Sequence, residues 1–247
     1  MALGNDAPTA IVTGGASGIG KAACELLRRD GFRVAVADRD EAGARTVAEA
    51  VEGYAFAVDV ADEGSVKALF EGALRAFGGR LDALATPAGI ADTTPFADLT
   101  AATFRRVYDV NVVGTFLCMR EAALHMRAGS RICTVASVAG KRGGGLSGTA
   151  AYAASKGAVL ALSRSAARAL APQGIAVNCV APGATLTPML EDAFADPSHR
   201  QRVEGMALLQ RSGEPHEIAE AIAWLLSSRA SFVDGETLTV DGGLMLD

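Results

Sequence analysis

The chain has little of what several classes of protein require. Its four cysteines are scattered without a Cys-x-x-Cys pair, and its three histidines lack metal-ligand spacing, so we expect reduced thiols and no metal site. No basic cluster exceeds two residues and the net charge is -5, which argues against nucleic-acid binding. No apolar run approaches the roughly 20 residues of a membrane span. Residues 1–10 hold no apolar signal-peptide core, and we expect a cytoplasmic protein without a membrane partner.

What the chain does have is an alternation of short apolar runs with longer helical patterns. Strands separated by helices predict βαβ units, and right-handed crossovers make these an α/β, doubly wound parallel sheet covered by helices on both faces. We expect one domain over residues 1–247, with a cofactor half at about 1–110 and a catalytic half at about 111–247. The predicted strands are Thr9–Thr13, Arg33–Ala37, Tyr54–Val58, Leu81–Ala85, Arg131–Ala136, Ile175–Val180 and Thr237–Val240. The predicted helices are Gly18–Asp30, Glu41–Val51, Asp62–Phe77, Thr103–Arg127, Ala151–Ala171 and Pro215–Ser228.

A glycine-rich turn connects the first predicted strand to the first helix. Glycines let the main chain turn tightly and approach a pyrophosphate, which the N–H groups at the helix N-terminus bind. A plain tight turn is the alternative, but the strand–turn–helix context favours a dinucleotide site. The turn reads Thr13-Gly14-Gly15-Ala16-Ser17-Gly18-Ile19-Gly20.

The residues that end the second and third strands predict which dinucleotide binds. Asp38 lies about 20 residues beyond the glycine turn, where a carboxylate can bind the ribose 2′-hydroxyl and repel a 2′-phosphate. Ser17 supplies no cation within the turn, so we expect NAD, although Arg39 leaves NADP possible. Asp59 and Val60 are expected at the adenine edge, with a helix cap or turn acid as the alternative for Asp59.

Tyr152 and Lys156, four residues apart on a predicted helix, form a candidate acid/base pair. Residues at this spacing lie one turn apart on the same face, so the lysine cation is expected to lower the pKa of the phenol toward the working range. Alone, such a pair is usually an ordinary solvated helix face. Ser137 ends the fifth strand and is predicted to hold a substrate oxygen, although a strand-terminal serine often only satisfies the backbone. Asn111 interrupts an apolar helix, which predicts a buried partner or an ordered water.

These pieces together resemble the short-chain dehydrogenase/reductase family over essentially the whole chain. The matching residues, in order, are the glycine turn, Asp59, Ala88-Gly89, Asn111, Ser137, Tyr152-x-x-x-Lys156, Pro182-Gly183 with Thr187, and Val240-Asp241-Gly242-Gly243. The resemblance implies a Rossmann-type fold with a seven-stranded sheet and a catalytic tetrad of Asn111, Ser137, Tyr152 and Lys156. One departure is Pro87, which stands where family members usually carry asparagine and removes a main-chain N–H. We expect a local adjustment there.

The resemblance also implies a reaction and an assembly. Hydride would pass between a nicotinamide and a secondary alcohol or ketone while Tyr152 exchanges the hydroxyl proton. Lys156 would also bind the nicotinamide ribose, and Asn111 would hold a proton-relaying water. Pro182, Gly183 and Thr187 would cover the nicotinamide. Homotetramers are common in the family. The alternatives are an NADPH-dependent 3-oxoacyl thioester reductase and, in another class, a non-catalytic dinucleotide sensor or scaffold.

Two segments are predicted to choose the small-molecule alcohol or carbonyl substrate. The segment 138–151, which follows Ser137, is long and rich in glycine, and we expect it to be flexible. Lys141 and Arg142 within it could meet an acidic substrate, although such loop charges are usually solvated. Residues 187–211 are expected to form a lid, and ordinary packing of two short helices explains its apolar residues at least as well as a role in the pocket wall. The apolar candidates are Met189, Leu190, Phe194, Met206 and Leu208.

Overall fold

The computed structural model describes residue 4 and residues 6–144 and 149–246. Seven parallel strands form one sheet in the order β3-β2-β1-β4-β5-β6-β7, so the chain runs outward from β1 to one edge and then crosses to the other side. That reversal between β1 and β4 opens a crevice at the carboxyl ends of the strands. The strands are β1 (Thr9–Thr13), β2 (Arg33–Asp38), β3 (Tyr54–Ala57), β4 (Leu81–Thr86), β5 (Met126–Val135), β6 (Ala176–Pro182) and β7 (Thr237–Val240).

Helices cover both faces of this sheet, as the alternation in the sequence predicts. Three helices (α1, α2 and α10) pack on one face and three (α3, α5 and α7) on the other. The helices are α1 (Gly18–Arg29), α2 (Glu41–Ala50), α3 (Glu63–Phe77), α4 (Ala101–Tyr108), α5 (Gly114–His125), α6 (Val138–Arg142), α7 (Ala150–Leu170), α8 (Pro188–Phe194), α9 (Pro197–Glu204) and α10 (Pro215–Leu226).

The central strands are apolar on both faces because both faces are covered. Along β1, Ala10 and Val12 contact the layer of α1 and α10, whereas Ile11 between them points into the layer of α3 and α5. All three side chains are fully buried. This is the pattern expected of a parallel sheet between two helical layers.

Three predicted elements differ from the structure. The first is the fifth strand, which begins at Met126 and not at Arg131. The single helix expected over Thr103–Arg127 is divided into α4 and α5 by one π-helical segment, Asp109–Val113, and it ends at His125 because β5 begins at Met126. The loop expected after Ser137 begins instead with the short helix α6, and residues 145–148 of that loop lie outside the described residues. Two short helices, α8 and α9, form within residues 187–211, where the lid is expected.

Candidate active site

A cleft at the carboxyl ends of the strands brings the predicted cofactor residues together. It also contains Ser137, whereas Asn111 lies behind its wall. The predicted cofactor residues that line it are Gly14, Ser17, Gly18, Ile19, Gly20, Asp38, Arg39, Asp59, Val60, Ala88, Gly89, Tyr152, Lys156, Pro182, Gly183 and Thr187.

The glycine turn forms a bare main-chain surface at one end of the cleft. A Cβ atom on Gly20 would lie 1.9 Å from the Gly14 oxygen, and one on Gly14, whose φ is +67°, would lie 2.7 Å from the Ala88 nitrogen. Ser17 precedes α1, and its side chain makes no capping hydrogen bond. The first main-chain N–H groups of that helix are therefore available to bind an anion. The residues therefore fit a dinucleotide pyrophosphate.

Asp38 is held against the glycine turn. Its Oδ2 accepts a hydrogen bond from the Ala16 nitrogen over 3.0 Å, and its Oδ1 accepts one from the Asp40 nitrogen over 3.0 Å. The carboxylate lines the cleft and keeps further lone pairs for a hydroxyl partner. Arg39 is exposed beside it. Asp59 also lines the cleft, and its Oδ1 accepts from the Ala61 nitrogen over 3.0 Å, so it is a turn acid at the cleft edge.

The local adjustment expected at Pro87 stays a prediction, and two buried hydroxyl groups lie at the strand ends beside it. Pro87 lines the cleft, beside the point where Gly14 meets the main chain of Ala88. Thr13 and Thr86, at the ends of β1 and β4, are buried, and their Oγ1 atoms have no hydrogen-bond partner among the described residues. Because proline offers no N–H, it cannot serve as a donor to either hydroxyl.

Tyr152 and Lys156 share one wall of the cleft in α7. Lys156 is 4% exposed, its Nζ donates to the Val135 oxygen over 2.8 Å, and Nζ lies 5.8 Å from the centre of the Tyr152 ring. Burial lowers the pKa of Lys156 to about 8. Burial raises the pKa of Tyr152, while a hydrogen bond with the Ser137 hydroxyl opposes the rise. The shift of the phenol pKa is thus opposite in direction to the predicted lowering, because desolvation outweighs the hydrogen bond with Ser137.

Ser137 combines two local roles. It is the N-cap of α6, where its Oγ accepts from the Ala139 nitrogen over 3.1 Å. Because that contact uses a lone pair, the hydroxyl proton remains available to a partner in the cleft. The expected backbone-satisfying role and the expected oxygen-binding role are thus compatible.

Asn111 has the buried partner that its sequence position predicts, but that partner is protein. Its Oδ1 accepts from the Ile90 nitrogen over 2.8 Å, and its Nδ2 donates to the Ile90 oxygen and to the Ser155 Oγ, each over 2.9 Å. The Ser155 hydroxyl in turn donates to the main-chain oxygen of Tyr152 over 2.7 Å. Both amide hydrogens of Asn111 are used, so the side chain joins the π-helical segment to the loop after β4 and to α7.

Ile90 and Ser155 are therefore structural members of the site that motif analysis did not single out. Signals for both were present. Ser155 lies within the run Tyr-Ala-Ala-Ser-Lys, and Ile90 follows Ala88-Gly89 directly. Among the side chains that the structure describes, no group of three or more His, Cys, Asp or Glu residues is arranged to bind a metal. Within the same ranges, no helix is long and apolar enough to span a membrane.

The segment expected to form a lid, residues 187–211, contributes part of the lining of the cleft. Its two ends are joined where the Gly213 nitrogen donates to the Ala184 oxygen over 2.8 Å and the Leu186 nitrogen donates to the Gly213 oxygen over 2.9 Å. Thr187 faces the glycine turn, since a Cβ on Gly18 would lie 3.1 Å from its Cγ2. The apolar candidates Met189, Leu190 and Phe194 line the cleft, whereas Met206 and Leu208 are absent from the described lining.

Comparison with known proteins agrees with this architecture. A short-chain alcohol dehydrogenase model, described as enoyl-(acyl carrier protein) reductase, matches residues 14–245. The 2,5-dichloro-2,5-cyclohexadiene-1,4-diol dehydrogenase of Sphingobium indicum is 45% identical, covering 95% of this chain and 96% of the relative. The cis-4-hydroxycyclohexanecarboxylate dehydrogenase of Sinomonas cyclohexanicum is 41% identical, covering 95% of each chain. A solved short-chain glucose/ribitol dehydrogenase from Brucella melitensis superimposes with a TM-score of 0.91 at 33% identity, covering 99% of this chain and 98% of that one.

The fold, the glycine turn and the Ser–Tyr–Lys wall define a dinucleotide-dependent oxidoreductase with a Rossmann-type fold. The chain belongs to the short-chain dehydrogenase/reductase family, and it acts on CH–OH groups and the corresponding ketones. The expectation of a catalytically silent sensor is thereby set aside.

Proposed function

We propose that the protein oxidises an alicyclic secondary alcohol to the ketone with NAD. The observation that carries this proposal is the convergence of Ser137, Tyr152 and Lys156 on the cleft that the glycine turn opens. The names of the two relatives add the substrate class, because each describes a hydroxylated six-membered carbon ring. When bound, the oxidised nicotinamide would accept the hydride from the carbinol carbon.

Four residues of the chain position the substrate and transfer its proton in the proposed reaction. Ser137 donates a hydrogen bond to the substrate oxygen and holds it beside Tyr152. The Tyr152 phenolate takes the hydroxyl proton as the C–H bond breaks, and returns a proton in the reverse reaction. Lys156, charged below its pKa of about 8, stabilises the phenolate and is a donor for the nicotinamide ribose. Asn111 contributes by fixing α7 to Ile90. Because both of its amide hydrogens are used, a proton-relaying water would be held by an oxygen of this residue.

Asp38 supports the preference for NAD. The main-chain nitrogens of Ala16 and Asp40 hold its carboxylate beside the glycine turn. A 2′-phosphate on the adenosine ribose would be repelled by this fixed negative charge. Arg39 favours the alternative of an NADPH-dependent thioester reductase, because its exposed cation lines the same end of the cleft.

We also propose a homotetramer in the cytoplasm. Val113, Phe116 and Leu124 are exposed along the segment that carries Asn111, and Phe232 is fully exposed just before β7. Large exposed apolar side chains of this kind support contacts between subunits. The four cysteines are all unpaired thiols, which suits a reducing compartment. Light scattering of the purified protein gives its mass directly, and a monomeric mass would contradict the assembly.

Two measurements test the proposed function. NADH and NADPH are titrated separately into the purified protein by fluorescence, and cyclohexanol oxidation is then followed by the formation of reduced cofactor. Tight NADH binding and turnover of cyclohexanol are expected. Preference for NADPH, together with reduction of a 3-oxoacyl thioester but no alcohol oxidation, would replace the proposal with its alternative.

A further inference from the structure

The two ends of the cleft differ in charge. Among the described lining residues, the charged side chains are Asp38, Arg39 and Asp59 at the strand ends next to the glycine turn, and Lys156 in the catalytic wall. Apart from Thr187, the described side chains that the lid adds to the lining are apolar: Pro188, Met189, Leu190, Phe194 and Val203. An uncompensated charge is expensive to bury in such surroundings.

The cations that follow Ser137 do not compensate for this. The Lys141 Nζ donates to the Thr239 Oγ1 on β7 over 2.9 Å, and the Arg142 Nη1 lies 4.0 Å from the sulfur of Met206. Neither side chain belongs to the described lining of the cleft. Within the described lining, Lys156 is therefore the one charged side chain on the substrate side of the cleft.

Phe194 is the aromatic member of a group of four residues that lines two cavities. The group lines both the catalytic cleft and a second cavity, where Glu191, Ala195 and Arg200 are neighbours; its members are Thr187, Pro188, Leu190 and Phe194. Phe194 has the largest side chain of the four, so its truncation would enlarge the space beside a substrate ring more than truncation of any of the others.

The ring of Phe194 is supported from α9. The Arg200 guanidinium lies 5.8 Å from the ring centre, and the His199 ring centre lies 6.3 Å away. The Arg200 Nε donates to the Glu204 Oε1 over 3.0 Å, and Glu204 accepts from the buried Ser212 Oγ over 3.1 Å. Ser212 adjoins the main-chain contacts that join the two ends of the lid. An exposed ion pair such as Arg200–Glu204 contributes little to the stability of the fold. Its effect is on geometry, because it fixes the guanidinium that lies over the Phe194 ring.

We propose that Phe194 determines substrate specificity by packing against an uncharged alicyclic ring, and that Arg200 is a positioning residue that holds the phenyl ring in place. This inference rests on the proposed function and adds the size and charge of the substrate to it. A planar, rigid side chain at that point limits substitution on the far side of the ring without touching the reacting hydroxyl.

The test compares Phe194→Ala with the parent on cyclohexanol, 4-tert-butylcyclohexanol and cis-4-hydroxycyclohexanecarboxylate. We expect the variant to lose about 10- to 100-fold in kcat/KM for cyclohexanol, mainly through KM, the range that small apolar differences produce in a pocket. Its preference for the bulky alcohol over cyclohexanol should rise at least tenfold, while the KM for NAD stays unchanged. Leu208→Ala is the matched control, because Leu208 is a lid residue that is 66% exposed and lies outside the described lining.

Arg200 is tested by a pair of variants. Arg200→Gln should shift the preference in the same direction as Phe194→Ala but by a smaller factor, and Arg200→Lys, which keeps a cation over the ring, should restore the parental ratio. The carboxylate substrate should be at least 100-fold poorer than cyclohexanol for the parent. Equal efficiency with the carboxylate, or an unchanged size preference in Phe194→Ala, would overturn the inference.

Failure of the proposed function gives a different pattern. If the parent oxidises none of the three alcohols, the proposed function fails, and the Phe194 assignment is then judged by binding. Cyclohexanone and 4-tert-butylcyclohexanone are titrated into the protein with reduced dinucleotide while its fluorescence is followed. A ratio of dissociation constants that is the same in the parent and Phe194→Ala refutes the assignment, and a shift of tenfold or more toward the bulky ketone supports it.

Discussion

Lys156 Nζ donates a hydrogen bond to the main-chain oxygen of Val135 over 2.8 Å, from a side chain that is 4% exposed. Val135 ends β5 two residues before Ser137, so this bond ties the middle of the catalytic helix to the strand that delivers the serine. The contact also removes a cationic side chain from water. Burial of the charged Lys156 side chain at the site where it functions is therefore expected to destabilise the folded protein.

Lys156→Met is expected to be at least as stable as the parent at pH 7, while losing most activity. Burial lowers the folded-state pKa from 10.5 to about 8, so the unfolded chain holds the proton more tightly. By linkage, stability rises as the pH rises between these two values, and below pH 8 the buried charge costs about 3 kcal/mol. The advantage of the methionine variant should therefore shrink by pH 10.5 in urea titrations. The exposed Lys67→Met serves as the control, and a variant destabilised at pH 7 would contradict this account.

Tyr152→Phe is expected to reduce turnover by about 10²- to 10⁴-fold, the usual contribution of general acid–base catalysis. Dinucleotide binding should stay close to parental, because only the phenolic oxygen is removed. Tyr108→Phe is the matched control, since the Tyr108 hydroxyl makes one exposed contact with the Ala154 oxygen at 3.4 Å. Steady-state rates and NADH titrations measure both variants, and near-parental turnover in Tyr152→Phe would remove the tyrosine from the mechanism.

The pH profile of alcohol oxidation should rise toward high pH. Burial raises the pKa of Tyr152, and oxidation requires the phenolate, so kcat/KM for the alcohol increases as the phenol ionises. Lys156 loses its charge above a pKa of about 8, which opposes the gain at still higher pH. Initial rates across the pH range with saturating dinucleotide measure the profile. A profile that falls from neutral pH upward would be incompatible with Tyr152 as the base.

Asp38→Asn is expected to lower the preference for NAD over NADP by about tenfold or more, since each 1.4 kcal/mol of lost charge repulsion is a factor of ten. The amide keeps the size of the side chain and an oxygen for the Ala16 nitrogen. Asp40→Asn is the control, because Asp40 caps α2 through the Gly43 nitrogen and lies outside the described lining. An unchanged ratio of catalytic efficiencies in Asp38→Asn would transfer cofactor choice to Arg39.

Asn111→Asp should destabilise the fold by about 1–3 kcal/mol, the typical cost of leaving a buried polar group unpaired. The carboxylate can still accept from the Ile90 nitrogen, but it offers no N–H to the Ile90 oxygen or the Ser155 Oγ. Thermal unfolding measures the loss. An Asn111→Asp protein with parental stability would show that these bonds are not needed to join α7 to the loop after β4.

The amino-acid sequence by itself determined the order of strands and helices and most of the residues of the cleft. It could do so because periodicity, glycine turns and strand ends are local features, and because parallel strands bring their carboxyl ends to one edge. The departure at Pro87 could be recognised from the sequence for the same reason.

Only the tertiary structure decided how these residues affect one another. Whether Tyr152 becomes more or less acidic depends on how deeply α7 packs on the sheet, and burial arises from segments far apart in sequence. The π-helical segment at Asp109–Val113 accompanies the pairing of Asn111 with Ile90, 21 residues away, which no local pattern specifies. Likewise, Phe194 lines both the catalytic cleft and a second cavity, and its ring contacts Arg200, only because α8 and α9 pack together there.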